Sequence, residues 1–293
     1  MQGQDSTRNT VNKLTFDPGD YSVAEFQRYL QSAVVPRPIA FASTVDREGN
    51  VNLSPFSFFN LFGTNPPILV FSPSRRARDG TTKHTLENVK EVPEVVINVV
   101  NYTIVQQASL ASTEYPKGVN EFVKSGLTPV PSSRVSPPRV GESPVSFECL
   151  VENIVPLGNA GGAGNLVVCR VVLMHVREDV LDDQRMIDPR KLDAVARLGD
   201  NWYSRITPES LFIVPKPLRT IGIGVDALPE EIRKSTVLTG NDLAKLANVE
   251  RVPDPGDTQV FEGDVNARHR AAQQLLEKND IEGAWKVLLS PQR

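Results

Sequence analysis

The chain has 293 residues, 23% of them charged and 40% hydrophobic, with a formal net charge of −3 and a pI near 5.8. That is enough apolar material for a sizeable core, and no basic excess speaks for nucleic acid or an anionic membrane. Two cysteines cannot build a disulfide framework, and no apolar run approaches the roughly 18 residues of a membrane helix. The polar start MQGQDSTRNTVNKL lacks the apolar stretch of a signal peptide. Cys149 and Cys169, in apolar strand-like runs, read as buried free thiols in a reducing compartment. A cytoplasmic chain is expected.

Residues 1–20 read as loose. SVAE at 22–25 is a capping-box pattern, and Val23, Phe26 and Leu30 keep helical spacing. A short helix therefore runs to about Ser32, ended by Pro36 and Pro38. IAFASTV alternates as a strand, DREGN is a hairpin turn in which Gly49 can take positive φ, and a return strand starts at Val51. That return strand runs into NVNLSPFSFFN, where two serines and a proline interrupt an apolar segment. ILVFS (68–72) is the next strand, and the polar loop SRRARDGTTK leads into a helix, KHTLENVKEV, with Leu86 and Val89 on one face. EVVINVVNY (94–102) is apolar on both faces and reads as a central strand. TIVQQASLAS is helical, and NEFVKSG is a helix closed by Gly126.

Residues 127–144, rich in Pro and Ser, form an extended loop. SFECLVENIVPL (146–157) and NLVVCRVVLMHVRE (165–178) are long strands joined by GNAGGAG, and DPRKLDAV is a short helix with Asp188 as cap and Pro189 at its first position. The body closes near LFIVPKP, and from Ile221 the chain turns helical, with amphipathic helices over 239–249 and 267–289 separated by RVPDPGDTQ. Six or seven strands, mostly hairpin-linked and not regularly spaced by helices, fit an antiparallel Greek-key barrel better than a doubly wound sheet.

Several tempting motifs fail on their own terms. GNAGGAG has no Gly-Lys-Ser/Thr ending and lies between strands, so a flexible hairpin loop is expected. GIGVDA lacks the second strand of a dinucleotide fingerprint. His84, His175 and His269 are far apart and show no metal spacing, and there is no GxSxG elbow. A stronger constellation is dispersed. TTKHTLEN sets Lys83 and Thr85 at a helix start, where free amides and the positive dipole end suit a phosphate, with Arg75, Arg76 and Arg78 upstream. Ser43 and Thr44 precede one hairpin turn, Asn52, Ser54 and Ser57 follow it, and Ser72 ends the next strand. Small polar groups beside flat apolar walls suit a planar heterocycle with polar edges, and a heterocycle that also carries a phosphate is FMN.

PRPIAFASTVDREGNVNLSPFSFFN, NPPILVFSPSRR and KHTLENVKEVPEVVINVV resemble the flavin reductase-like family with the FMN-binding split barrel. SPPRVGESPVSFECLVENIVPLG, GNLVVCRVVLMHV, IDPRKLDAVARLGDNWY and LFIVPKP continue the same pattern, so that the resemblance spans about Val35 to Pro217. It implies a mainly β fold, a six-stranded antiparallel Greek-key split barrel with flanking helices, working as a homodimer with non-covalent FMN. By resemblance, Ser43 and Thr44 lie near the flavin, Asn52, Ser54, Phe56, Ser57 and Phe58 along it, and Lys83 and Thr85 at its phosphate; Pro55 and Ser72 are further cofactor-binding candidates. His84 stands where related sequences often carry Asp. ARLGDNWY places Arg197 near the flavin, with Trp202 and Tyr203 as further candidates. The expected division is an N-terminal arm and helix (1–34), the FMN-binding barrel (35–219) and a C-terminal helical extension (220–293). The expected function is hydride transfer from NAD(P)H to flavin and on to a small acceptor or partner protein, with no acid or base singled out. The alternatives are a non-catalytic FMN carrier of the same fold, and a related barrel serving another substrate or haem; no histidine is placed as an axial ligand for the last.

Overall fold

The computed structural model of the chain describes residues 12–216, 221–254 and 260–291. The chain divides into two compact units, the first ending at Leu211 and the second beginning at Phe212. The boundary expected after residue 219, and the first 11 residues of the arm, lie outside the described residues.

In the first unit, helix α1 (Val23–Ala33) opens with the expected capping box: Glu25 N donates to Ser22 Oγ at 3.3 Å and Ser22 N to the Glu25 carboxylate at 2.9 Å. Its apolar stripe is not buried, however; Val23 and Leu30 are both more than half exposed. Strand β1 (Ala40–Val45) turns through DREGN into β2 (Val51–Phe56), and Gly49 takes φ 84° there, as the turn demands. Then follow β3 (Phe59–Thr64), β4 (Pro67–Phe71), α2 (His84–Glu91), β5 (Glu94–Val99), α3 (Val105–Leu110) and α4 (Glu121–Ser125), the last closed by Gly126 at φ 65°. Two-residue strands β6 (Pro129–Val130) and β7 (Arg139–Val140) pair across the Pro/Ser-rich loop. The long hairpin β8 (Val145–Pro156) and β9 (Asn165–Val176), helix α5 (Pro189–Leu192) and the ribbon β10 (Val195–Arg197) with β11 (Tyr203–Arg205) complete the unit.

The main sheet has seven strands in the order β2-β1-β5-β8-β9-β4-β3, every pair antiparallel. That is one more than the six expected, and the addition is β3. The chain leaves β2 after Phe56, crosses at Ser57 and Phe58, and re-enters at the opposite edge of the sheet as β3. Two edges joined by two residues must meet there, which rolls the sheet into a barrel whose edge strands do not pair. Pro55 is tolerated because β2 is an edge strand. Leu53 N, two residues earlier on the same outward side, is satisfied by the Glu121 carboxylate at 2.9 Å, and proline needs no such acceptor.

Two cores flank this sheet. One face gathers Ala40, Ala42, Phe56, Phe71, Ile97, Cys149 and Cys169 with Leu86 and Val89 of α2. The other packs Phe41 and Leu53 against Ile104, Ala108 and Phe122 around α3 and α4. Both cysteines are free and fully buried, and burial pushes the Cys149 thiol up to about 12 and that of Cys169 well above its usual range. The Pro/Ser-rich loop is pinned by Glu148, whose buried carboxylate accepts from Ser133 N at 2.8 Å, Arg134 N at 2.6 Å and His175 Nε2 at 2.7 Å. Burial alone would raise the Glu148 pKa, but these three donors together hold it below its usual range.

The second unit contains α6 (Glu230–Arg233), α7 (Gly240–Ala247), α8 (Val265–Glu277) and α9 (Ile281–Leu288) around Leu246, Ala272, Leu276 and Trp285. The single helix expected over 267–289 is two. Asn279 turns left-handed at φ 59°, and Asp280 caps α9 by accepting from Gly283 N at 2.9 Å. No helix among the described residues is long and apolar enough to cross a membrane.

Candidate functional site

The alternation of β1 and β2 decides which side chains share a surface. Thr44 lies opposite Asn52, Ala42 opposite Ser54 and Ala40 opposite Phe56, and this face meets α2. Asn52 Nδ2 donates to Thr85 Oγ1 at 2.9 Å, and Asn88 Nδ2 donates to Thr44 Oγ1 at 3.1 Å. These two buried bonds fix the start of α2 over the strand pair. Lys83 is the N-cap of α2 and makes no side-chain cap hydrogen bond, so the first amides of the helix keep their donors. Its ammonium sits 5.5 Å from the centroid of the Phe56 ring.

The loop before α2 is held in shape by its own arginines. Arg76 Nη1 donates to Thr81 Oγ1 at 3.0 Å and to the Thr82 carbonyl, and Arg75 Nη1 donates to Gly80 O at 3.0 Å. The Gly-rich hairpin between β8 and β9 braces this loop from outside. Arg75 N donates to Ala163 O at 2.8 Å, and Gly162 N returns a bond to Arg75 O at 3.1 Å. A Cβ on Gly161 would stand 2.7 Å from the Ala77 carbonyl oxygen, so only glycine allows this approach.

Between these parts lies a cleft of about 280 Å³ lined by Gln27, Ser74, Arg75, Arg76, Arg78, Lys83 and Glu114. A narrower recess shares Arg76, Lys83 and Glu114 with it and adds Asn52, Ser54, His84, Thr85, Tyr115 and Glu121. Burial first, and then the neighbouring Arg76 charge, lower the Lys83 pKa, with Glu114 opposing both. The Lys83 ammonium makes no salt bridge or hydrogen bond among the described residues, whereas Arg76 and Arg78 reach the Glu114 carboxylate at 3.1 and 3.4 Å. A partly desolvated cation without a carboxylate partner, beside uncapped helix amides, is built to meet an anion.

Asn52, Ser54, Lys83 and Thr85 thus line one recess, with Phe56 beneath Lys83 and Thr44 tied in through Asn88. The other residues singled out from the sequence lie elsewhere. Ser43 and Pro55 belong to the opposite face of the strand pair, and the Ser43 hydroxyl is buried without a protein partner. Ser57 and half-exposed Phe58 form the crossing between the two sheet edges. Ser72 Oγ accepts from Asn165 N at 3.0 Å and ties the end of β4 to the start of β9. Arg197 lies on β10, its guanidinium 4.6 Å from the Tyr203 ring and donating to Asp200 O at 2.7 Å. Its backbone forms a bridge with Arg37, whose buried guanidinium donates to the Val34 and Leu198 carbonyls at 2.8 and 2.7 Å. Sequence reading missed Glu114, Tyr115 and Glu121, which come from the α3–α4 segment. An acid in a recess lined by Arg76 and Lys83 runs against residue-type logic, and only the packing of α4 on β2 brings Glu121 there. Burial raises the Glu121 pKa against the opposing bond from Leu53 N.

Residues 32–195 match the model of the flavin reductase like domain, which covers more than half of the chain. The chain belongs to the flavin reductase-like family. It is 39% identical over 194 residues to an uncharacterized protein of Halalkalibacterium halodurans, covering 66% of this chain and 92% of that relative. The fold is similar to that of nitrilotriacetate monooxygenase component B from Bacillus cereus, with 29% identity and a TM-score of 0.65 over 70% of this chain and 100% of the other. It is also similar to a protein assigned as a flavin reductase with split barrel domain from Shewanella frigidimarina, with 26% identity and a TM-score of 0.59 over 70% of this chain and 100% of that one. The antiparallel barrel described above fits that family's split-barrel fold. The second compact unit begins beyond the end of the family match.

Proposed function

We propose that this chain is an FMN-dependent oxidoreductase, which takes hydride from NAD(P)H and passes electrons to a small acceptor or a partner protein. The observation that supports it most is Lys83: a partly desolvated cation, without an acidic partner, at the uncapped start of α2. When bound, FMN would supply the hydride-accepting and electron-delivering chemistry. The residues of the chain have positioning roles in this reading. Lys83, Arg76 and the first α2 amides hold the phosphate. Asn52, Ser54 and Thr85 offer hydrogen-bonding groups to the ribityl chain, while the bond from Asn52 to Thr85 keeps the recess preformed. Phe56, packed 5.4 Å from Phe71 by ring centroids, makes a rigid apolar wall beside Lys83.

In this reading the protein is a homodimer. Exposed apolar side chains on α1 (Val23, Leu30) and on the edge strand β3 (Leu61, Phe62) are the surfaces a second copy would cover. The test is the visible spectrum of the purified protein and the identity of the flavin released on denaturation. FMN at about one per chain supports the proposal, whereas a colourless protein that takes up no added FMN refutes it.

A further inference from the structure

The anion cleft contains an anion of its own. Glu114, on the segment between α3 and α4, lines both the wide cleft and the narrow recess. Its two carboxylate oxygens take Arg76 Nε at 3.1 Å and Arg78 Nη2 at 3.4 Å, and its charge is felt at Lys83. Arg76, like Lys83, lines both compartments, and its side chain is only 17% exposed. A phosphate drawn to Lys83 and the α2 amides would compete with Glu114 for this same guanidinium. Around Glu114, Ala111, Ser112, Thr113 and Tyr115 line the narrow recess, so the segment that carries the acid also walls the site. Glu114 itself is half exposed, which leaves it free to swing into solvent at little cost.

We infer that Glu114 is an internal stand-in for the ligand's phosphate: it occupies Arg76 and Arg78 until a phosphate-bearing flavin displaces it. This inference rests on the assignment of the recess to FMN phosphate. Arg76 is kept ordered and paired in the free protein, and part of the affinity for phosphate is spent on displacing the carboxylate. Glu114 therefore sets how strongly the site prefers a phosphorylated flavin over riboflavin. Removing its charge strengthens the binding of FMN and leaves riboflavin untouched.

The test is a fluorescence titration of the flavin-free protein with FMN and with riboflavin, at low and high salt, for the wild type, Glu114→Gln and Lys83→Ala. The expected result is an FMN Kd tightened roughly three- to tenfold in Glu114→Gln at low salt, a gain that shrinks as salt screens it. Riboflavin affinity should not change, and thermal melting should show the variant folded. FMN binding that is unchanged or weaker in Glu114→Gln, or riboflavin tightened by the same factor, overturns the inference. If the wild type prefers FMN and Lys83→Ala abolishes that preference while Glu114→Gln is neutral, the phosphate site stands and only the stand-in role falls. If the wild type does not distinguish FMN from riboflavin at all, both fall.

Discussion

Replacing Lys83 with alanine separates binding from folding. The side chain is largely withdrawn from water, is repelled by Arg76 and makes no salt bridge among the described residues. In the free protein it is therefore a cost. Against a phosphate it becomes a charge-assisted contact worth about 1.5–3 kcal/mol. At 1.4 kcal/mol per tenfold, Lys83→Ala should weaken FMN binding by roughly 10- to 150-fold. Riboflavin, which has no phosphate, should bind within a factor of about two of the wild type, since only the cation over the Phe56 ring is lost. The flavin-free variant should melt at the same temperature as the wild type or higher. Flavin fluorescence quenching gives the two affinities and differential scanning fluorimetry gives the melt. Equal losses for FMN and riboflavin, or a markedly lower melting temperature, would refute the reasoning by making Lys83 a structural residue.

Other predictions reach further from the site. Gly161→Ala places a methyl group 2.7 Å from the Ala77 carbonyl oxygen, so the arginine loop must shift; FMN affinity should fall severalfold in titration while the melt moves little. Glu148→Gln loses the charge that its three donors hold, and should cost about 2–3 kcal/mol at neutral pH by urea unfolding. Because the folded-state pKa of Glu148 lies below its ordinary 4.5, that contribution is fully present above pH 4.5 and lost as pH falls through the folded value. The gap between wild type and Glu148→Gln should therefore close in acid; a gap independent of pH would contradict the role given to the carboxylate. With burial pushing the Cys149 thiol up to about 12 and that of Cys169 well above its usual range, an aromatic disulfide reagent should find no reactive thiol in the native protein and both thiols after denaturation.

Much of this fold is legible in single segments. The alternation of IAFASTV gives β1, the doubly apolar EVVINVV gives the central β5, and SVAE and DPRKL give capped helix starts that the structure shows hydrogen bond by hydrogen bond. What is not legible depends on pairing. Nothing local in NVNLSPFSFFN shows that its first half is one edge of the sheet and its second half begins the other. The extra strand β3 is therefore hidden in a stretch that runs out into Gly63 and TNPP. The helix stop at Asn279 was missed for a different reason: the apolar spacing continues through it, and the left-handed residue is not a glycine.

The site shows the same divide. Lys83 and Thr85 could be named because a helix start has its own signature. Asn52 could be named as polar in an apolar strand, and its bond to Thr85 confirms that the two elements meet. Ser43 and Thr44 are neighbours of equal polarity in sequence, yet the strand sends them to opposite faces. Only Thr44 joins the α2 network. Glu114 and Glu121 reach the recess through tertiary packing, and their charge gave no reason to seek them beside a phosphate. GNAGGAG, read correctly as a hairpin loop, also braces the arginine loop, a contact with no local sequence signal.

The most direct test of the account is anaerobic stopped-flow mixing of the FMN-loaded protein with NADH and, separately, with NADPH, following the flavin absorbance near 450 nm. The account predicts bleaching by at least one donor, rapid enough for turnover and reversed when an acceptor is added. Full occupancy by FMN with no bleaching from either donor would contradict the proposed reductase activity and leave a flavin carrier built on the same barrel.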